Sequence, residues 1–285
     1  MPKTVILTDS TSYLPPALLN QYAIRVIPLT IIWDNETLRD GVDIQPDDFY
    51  KRLATSKAMP TTSQITVMEM EAAFQKLLEE GVDVLGIFIS SKFSGTVEAA
   101  IKARDGMPNA ADKIAIVDSL TTTMAMGWQV LTAARAAQAG ESLLNCKKIT
   151  EHARENSGVM FVVETLEFLR RGGRIGGAQA LLGTALNLKP VLEMQNGRIE
   201  TVEKIRTKTK AVQRILELTV EHIGARKPVR VSTVHANAEA EAVALLEEAK
   251  KVLNPVEALC CPLSPVVGTH AGPGTIALPY MAGVE

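Results

Sequence analysis

A histidine enclosed by glycines near the C-terminus is the residue of this sequence best placed to bind an anion. It is His270, in residues 268–275, which read Gly-Thr-His-Ala-Gly-Pro-Gly-Thr. Glycine lets the backbone approach a ligand closely or adopt positive φ, and proline stiffens the chain beside it. A histidine held on such a loop can donate a hydrogen bond to an anion and can change charge near neutral pH. A turn with a merely exposed histidine is the alternative interpretation.

Two further segments place hydroxyl groups at predicted helix starts. Residues 61–64 read Thr-Thr-Ser-Gln, directly before an amphipathic helix predicted from about residue 66 to residue 80. Residues 93–96 read Phe-Ser-Gly-Thr, before an alanine-rich helix. The start of a helix offers free amide donors and a partial positive charge, so it suits an anion. Together these segments predict a small anionic group held by hydroxyls, amides and one histidine.

A carboxylate fits this environment better than a phosphate. The sequence has neither the glycine-lysine loop of P-loop proteins nor a G-x-G-x-x-G fingerprint. A hydrolase or acyltransferase that uses Ser94 and His270 is an alternative, because a serine followed by glycine precedes a histidine. The G-x-S-x-G elbow of α/β-hydrolases is absent, however, and no aspartate is evidently paired with His270.

Arginines gather at a second glycine-rich segment. Residues 169–175 read Leu-Arg-Arg-Gly-Gly-Arg-Ile and include Arg174, and Arg206 lies further along the chain among three lysines. Arginine on a glycine turn is suited to bind a partner's acidic groups or a phosphate. A solvated basic face is the alternative, and it is the interpretation that we adopt for the lysines.

Composition limits the class of protein. A chain of 285 residues, 46% hydrophobic and 22% charged, predicts a globular protein of two domains. A net charge of −2 and an aromatic content of 4% disfavour a nucleic-acid partner. Three cysteines without a metal-binding spacing predict a reducing, cytoplasmic location and no structural metal. No apolar run approaches the ~20 residues that cross a bilayer, and no signal peptide is expected.

The elements that must position these residues follow an α/β pattern. Strand, polar loop and helix alternate over about the first 155 residues, which is typical of a mainly parallel sheet. Such sheets bind ligands at the carboxyl ends of their strands. Asn196-Gly197 predicts a hairpin in a second, mixed sheet, residues 176–186 look helical, and residues 256–267 read largely as strand. We predict an N-terminal α/β domain, residues 1–157, and a C-terminal α/β domain, residues 158–285.

In this order the segments resemble the DegV family of bacterial fatty-acid-binding proteins. The resemblance runs nearly end to end, and each motif is weak alone while the ordered set is specific. The motifs are Thr8-Asp9-Ser10, Pro60-Thr61-Thr62-Ser63-Gln64, Ser90-Ser91 with Ser94-Gly95-Thr96, Asp118-Ser119, residues 169–175, Arg206-Thr207 and residues 268–274. Residues 275–279, Thr-Ile-Ala-Leu-Pro, depart from the glycine-containing tail expected of the family.

The resemblance implies a two-domain α/β protein that buries one long-chain, palmitate-like fatty acid in a tunnel. It places the carboxylate at the domain junction. Thr62, Ser94 and His270 match the carboxylate-binding positions of the family, and Ser63 is adjacent. It implies no cofactor and no catalysis by the chain itself. A scaffold protein without a ligand is the remaining alternative.

The resemblance also implies a partner. Some family members are the acyl-carrying subunit of a bacterial fatty acid kinase, in which a separate ATP-dependent kinase phosphorylates the presented carboxyl group to an acyl phosphate. Arg174 and Arg206 match basic positions implicated in presentation or kinase contact. A transient contact with a membrane surface belongs to the same expectation.

Overall fold

The structure is a computed structural model of the 285-residue chain, and it describes residues 3–107, 110, 112–182 and 188–285. The strands are β1 (Thr4–Asp9), β2 (Arg25–Ile27), β3 (Thr30–Trp33), β4 (Glu36–Arg39), β5 (Thr61–Ser63), β6 (Asp83–Phe88), β7 (Ile114–Asp118), β8 (Ser157–Val162), β9 (Val191–Gln195), β10 (Arg198–Glu203), β11 (Val229–His235), β12 (Glu257–Pro262) and β13 (Ile276–Ala282). The α-helices are α1 (Pro16–Gln21), α2 (Pro46–Thr55), α3 (Val67–Glu79), α4 (Thr96–Gly106), α5 (Thr123–Gln138), α6 (Leu143–Glu155), α7 (Glu167–Arg171), α8 (Lys208–Ile223), α9 (Glu239–Leu253) and α10 (Pro265–Ala271). Two 3₁₀ turns span Ser10–Ser12 and Gly176–Leu181.

The predicted parallel sheet of the N-terminal half is confirmed. Its strand order is β2-β1-β6-β7, and every pair of neighbours is parallel. All six residues of β1 are buried, as expected for a parallel strand covered by helices on both faces. The strands run in the same direction, so the polar residues that follow β1, β6 and β7 meet at one edge.

A small antiparallel sheet contains residues that the sequence did not predict to be extended. Its order is β4-β3-β5, and Thr62 in the middle of β5 pairs with Ile31 of β3. Residues 61–64 precede a helix, as predicted, but Thr61–Ser63 form a strand and do not themselves supply the helix start. Thr66 caps α3 instead, in a reciprocal capping box with Glu69. The β-branched pair Thr61-Thr62 favours the extended backbone that precedes this cap.

The C-terminal half contains the predicted mixed sheet, in the order β10-β9-β8-β13-β11-β12. Only the β11–β12 pair is parallel among its described neighbours. The predicted hairpin joins β9 and β10, and both Asn196 and Gly197 have positive φ, as a tight two-residue turn requires. The tip of this hairpin reaches the other half of the molecule, where the hydroxyl of Ser90 donates to the carbonyl oxygen of Gly197 at 2.8 Å.

The segment that leads to His270 is a helix rather than a strand. Residues 256–267 were expected to be largely extended, but β12 ends at Pro262 and α10 begins at Pro265. Pro265 occupies the first turn of α10, where its fixed φ suits a helix and its missing N–H leaves no unsatisfied donor. His270 is therefore held on a helix that packs between both halves.

The predicted helix at residues 176–186 is a 3₁₀ turn over Gly176–Leu181, and residues 183–187 lie outside the described residues. One hydrophobic core joins the two halves, since Val5, Val159 and Met281 belong to the same buried cluster. The division into domains at residues 157 and 158 stays a prediction.

Asp9 lies at the carboxyl end of β1, on the sheet edge where the polar residues that follow β1, β6 and β7 meet. Its substitution tests what stabilises this edge. Its fully buried carboxylate accepts hydrogen bonds from Thr11 N at 2.9 Å, Thr11 Oγ1 at 2.6 Å and Ile89 N at 2.7 Å. We expect Asp9→Ala to lower the free energy of unfolding by about 3 kcal/mol, because it leaves buried donors without partners. Urea unfolding followed by circular dichroism measures this change.

Asp105→Ala is the matched control. Asp105 is exposed on α4 and pairs with its neighbour Arg104, at 2.7 Å. Its removal is expected to change the free energy of unfolding by less than about 0.5 kcal/mol. Equal unfolding midpoints for the two variants would show that Asp9 does not brace the sheet edge.

Candidate functional site

A partly open, mainly apolar cavity lies where the two large sheets, the small sheet and α10 meet. Its volume is about 310 Å³, at the lower end of the ~300–1,000 Å³ usual for small-molecule sites. The mixed sheet contributes Val159 and Phe161 of β8, Ala277 of β13, and Met194 and Ile199 of the hairpin strands. The cavity can therefore surround an apolar chain.

Polar side chains from several separate segments line the same cavity. They include five of the six residues proposed from the sequence: Thr62, Ser63, Ser94, Arg174 and His270. The sixth, Arg206, is exposed, lies between β10 and α8 and is not among the residues that line the cavity. The structure thus brings the proposed carboxylate ligands together and leaves Arg206 apart from them.

Thr62 and His270 form the central contact of the site. Thr62 Oγ1 lies 2.8 Å from His270 Nε2, a hydrogen bond between β5 and α10. Among the described residues, His270 Nδ1 is buried without a hydrogen-bond partner, and it packs against the backbone of Gly172. In one tautomer Nε2 accepts the hydroxyl proton of Thr62, and the Nδ1–H donor lies against Gly172 rather than in the cavity. In the other tautomer Nε2 donates to Thr62 Oγ1, and the Thr62 hydroxyl remains free to donate to a ligand.

Burial, the larger cause, and the positive charge of Arg174 together lower the pKa of His270 to about 4. The imidazole is therefore neutral at pH 7. It acts as a hydrogen-bonding group and not as a cation toward an anionic ligand. The ring also packs closely against the backbone, because a Cβ atom on Gly172 would overlap Nδ1.

Ser94 is positioned by the turn after β6. Its amide donates to Ser90 O at 3.2 Å, and its hydroxyl lies 2.8 Å from Thr96 Oγ1 at the start of α4. The amide of Gly95 donates to Gln64 Oε1 at 2.9 Å, which ties this turn to the end of β5. The predicted helix start at residues 93–96 is confirmed. Gln64 fixes the distance between this turn and Thr62.

Arg174 supplies a positive charge that is not neutralised by a carboxylate in the part of the chain that the structure describes. Its Nε donates to Phe93 O at 3.2 Å, and Nη1 donates to Gly172 O. Backbone carbonyls thus fix the guanidinium at the edge of the cavity. An anion placed there gains from this charge.

The glycines around His270 allow close packing rather than an exposed loop. A Cβ atom on Gly268 would overlap Tyr50, and one on Gly272, which has positive φ, would overlap Phe168. His270 is half-buried at the end of α10. The alternative of a solvent-exposed turn is therefore wrong.

Sequence reasoning missed Asp40, which braces the start of α10. This aspartate is 2% exposed, and its Oδ2 accepts from Ser10 Oγ at 2.7 Å and from Ser264 Oγ at 2.9 Å. Burial raises the pKa of Asp40 to about 6. The contact with Ser264, the N-cap of α10, links Asp40 to the helix that carries His270. No motif distinguishes Asp40 in the sequence.

Thr122 and Thr123 were also missed. They line the cavity and are 7% and 5% exposed, and both hydroxyl oxygens are buried without a hydrogen-bond partner among the residues that the structure describes. Thr123 is the first residue of α5 and has positive φ, which is unusual for a β-branched residue. The run of three threonines after β7 was the available signal.

The geometry does not form the nucleophile–base pair of a hydrolase. Ser94 Oγ contacts Thr96, whereas His270 Nε2 contacts Thr62. Among the described residues, no carboxylate orients the free Nδ1 of His270. The described ranges also contain no cluster of three potential metal ligands. None of the helices in those ranges combines the length and apolar character that a membrane crossing needs.

Fold and cavity together define a class of α/β protein with a parallel and a mixed sheet around a partly open amphipathic cavity. A family model described as "Uncharacterised protein, DegV family" matches residues 3–282. The chain belongs to the DegV family, as its motifs predict.

Relatives match nearly the whole chain. A Thermus thermophilus structure described as a fatty-acid-binding DegV family protein is 36% identical, with a TM-score of 0.92, covering 98% of this chain and 99% of that one. DegV of Bacillus subtilis, described as a fatty acid binding protein, is 33% identical, with a TM-score of 0.90 and coverages of 99% and 100%. A DegV domain-containing protein of Clostridium perfringens is 35% identical over 279 residues, 96% of this chain and 97% of its own.

The pKa of His270 tests the electrostatics of the site. We expect the imidazole of the ligand-free protein to titrate near pH 4, and its pKa to rise part of the way toward 6.5 in Arg174→Gln. The rise is partial because burial, the larger cause, persists. Nuclear magnetic resonance titration measures both values, and His270→Gln identifies the signal among the four histidines. A wild-type value near 6.5 would contradict the burial of the ring, and an unchanged value in Arg174→Gln would contradict the contribution of Arg174.

Proposed function

We propose that this protein binds one long-chain fatty acid, with the alkyl chain in the cavity and the carboxylate at Thr62, Ser94 and His270. The observation that carries the proposal is the asymmetry of the cavity: its walls are mainly apolar, and the hydroxyl and imidazole groups of three separate segments converge in it. A fatty acid has the same asymmetry. The descriptions of the Thermus thermophilus and Bacillus subtilis relatives support this ligand class.

The polar groups suit a carboxylate, which accepts hydrogen bonds and donates none when ionised. The hydroxyls of Thr62 and Ser94 can turn toward it, and the Thr62 hydroxyl is free to donate when His270 carries its proton on Nε2. Ser63 lines the cavity beside them. Arg174 supplies the positive charge that the neutral His270 does not.

The alkyl chain supplies most of the affinity in this proposal. Each methylene group moved from water into an apolar site contributes about 0.8 kcal/mol, so a palmitate-length chain contributes roughly 10 kcal/mol before ordering costs are subtracted. The polar groups then fix orientation. They hold the carboxylate where the two sheets meet and leave the chain to the apolar walls.

The proposal extends to presentation of the carboxyl group to a separate ATP-dependent fatty acid kinase. In that reaction a carboxylate oxygen attacks the γ-phosphorus of ATP, a new P–O bond forms, and the bond to the β-phosphate oxygen breaks. The products are an acyl phosphate and ADP. This chain binds and orients the acyl group, and the kinase supplies the catalysis. A cytoplasmic location and a transient contact with a membrane surface complete the proposal.

Two variants test the carboxylate site. We expect delipidated wild-type protein to bind one palmitate, observed by native mass spectrometry. Ser94→Ala and His270→Gln should each weaken binding about 10- to 100-fold, measured by isothermal titration calorimetry. A hydrogen bond to a charged group contributes about 1.5–3 kcal/mol, which corresponds to that range.

Ser91→Ala is the control, since Ser91 is exposed on the same turn. Its affinity for palmitate should match that of the wild type. Unchanged affinity in both site variants would contradict the assignment, and a protein that binds no fatty acid would favour the ligand-free scaffold. Ester turnover that Ser94→Ala abolishes would favour the hydrolase alternative.

Arg206 tests presentation separately from binding. The side chain is exposed and outside the cavity, so Arg206→Ala should retain palmitate affinity within twofold. Phosphorylation of bound palmitate by the kinase should fall at least tenfold, because a charged contact with the partner is lost. Lys210→Ala, exposed on α8, is the control. Loss of palmitate from Arg206→Ala would show that Arg206 acts in binding instead.

A further inference from the structure

A second cleft adjoins the fatty acid cavity and has the opposite character. Its volume is about 400 Å³, and it shares Phe93 and Arg174 with the first cavity. Its other lining side chains are Lys92 and Arg198, with Glu200 beside them. Because Arg174 lines both spaces, a group bound in the cleft lies next to the polar part of the fatty acid site.

The cleft carries an uncompensated positive charge. Lys92, Arg174 and Arg198 contribute three positive charges against the single carboxylate of Glu200, a formal balance of +3 − 1 = +2. In the described part of the chain, Lys92 and Arg198 make no ion pair, whereas buried or half-buried arginines elsewhere do. Arg174 is held by the carbonyl oxygens of Phe93 and Gly172 and not by an acid.

Glycines keep the cleft open. Gly173, Gly176 and Gly177 line it without side chains, and Gly173 and Gly176 have positive φ. A Cβ atom on Gly177 would overlap the carboxylate of Glu200, and one on Gly176 would overlap Ile199 O. The glycine turn therefore packs directly on β10, the strand that presents Arg198 and Glu200.

We propose that this cleft is a subsite for a phosphate group, and that its principal ligand is the phosphate of an acyl phosphate whose alkyl chain fills the adjoining cavity. The inference rests on the proposed fatty acid function. A phosphate dianion has three acceptor oxygens, and arginine and lysine are the side chains that bind it best. An acyl phosphate extends the fatty acid carboxyl by one phosphate group, and the cleft begins at Arg174, beside the carboxylate site.

A stable analogue tests the subsite in the full-length protein. The probe is 2-oxoheptadecylphosphonate, in which a methylene group replaces the bridging oxygen of palmitoyl phosphate, and palmitate is the reference ligand. We expect the double variant Lys92→Ala/Arg198→Ala to bind the phosphonate at least tenfold more weakly than the wild type. Its affinity for palmitate should stay within twofold. Both side chains are exposed, so the variant should fold normally.

Two further variants sharpen the test. Glu200→Gln removes the one negative charge of the cleft and should strengthen phosphonate binding without changing palmitate binding. Arg171→Ala is the matched control, because Arg171 pairs with Glu167 at 2.6 Å and does not line the cleft. The phosphonate affinity should also fall more steeply with salt than the palmitate affinity, since the extra contacts are between exposed charges.

The source of the phosphate is decided by titrating the protein with inorganic phosphate and with ATP, neither of which carries an alkyl chain. Millimolar or tighter binding of either one that the double variant loses would support the phosphate subsite and assign it to a free or nucleotide phosphate.

Equal phosphonate affinity in the wild type and the double variant would overturn the proposal. If kinase turnover fell in that same variant, the cleft would be a protein contact. Failure of the wild type to bind palmitate would instead reject the proposed fatty acid function.

Discussion

The buried carboxylate of Asp9 is the interaction on which the geometry of the site depends. It ends β1 inside the protein and accepts three hydrogen bonds, one of them from the backbone of Ile89. That bond fixes where β6 ends and where the turn with Ser94 begins. Asp40 likewise fixes the start of α10 through its hydrogen bond with Ser264. Because α10 carries His270, this contact also positions His270. Two buried carboxylates thus hold the two backbone segments that must meet at the ligand.

The two site groups with shifted pKa values affect stability with opposite signs. Burial raises the pKa of Asp40 to about 6, above its ordinary 3.8, so its ionised form costs stability at neutral pH and the cost is relieved as the pH falls below about 6. Burial lowers the pKa of His270 to about 4, below 6.5, so its contribution is complete above pH 6.5 and is lost as the pH falls through about 4. The site therefore keeps an ionised brace and a neutral ligand group together at pH 7.

The sequence predicted the elements whose signal is local. Buried aliphatic runs predicted β1, β6 and β7, and Asn196-Gly197 predicted the hairpin, because strand burial and turn chemistry leave a direct pattern. β5 was missed because three residues become a strand only by pairing with β3. Residue types at the predicted helix starts and on the glycine-rich loop predicted one anion site, and the family resemblance then singled out Thr62, Ser94 and His270 within it. Asp40 gave no usable pattern, since its role arises from distant contacts. Thr122 lies in a run of three threonines, but its burial in the cavity wall arises only from the fold.

Arg174 connects the two spaces electrostatically. Its guanidinium is fixed by backbone carbonyls, and no carboxylate in the described part of the chain forms an ion pair with it, so its charge is available on both sides. In the proposed function, a bound fatty acid carries one negative charge beside this guanidinium. Conversion to an acyl phosphate adds about one more, and Arg174 alone would have to stabilise both. Lys92 and Arg198 place additional positive charge on the side where the phosphate extends. Under the proposed function, the same protein would hold the acyl group before and after phosphorylation, because the apolar cavity would retain the chain and the charge of the cleft would match the charge that phosphorylation adds.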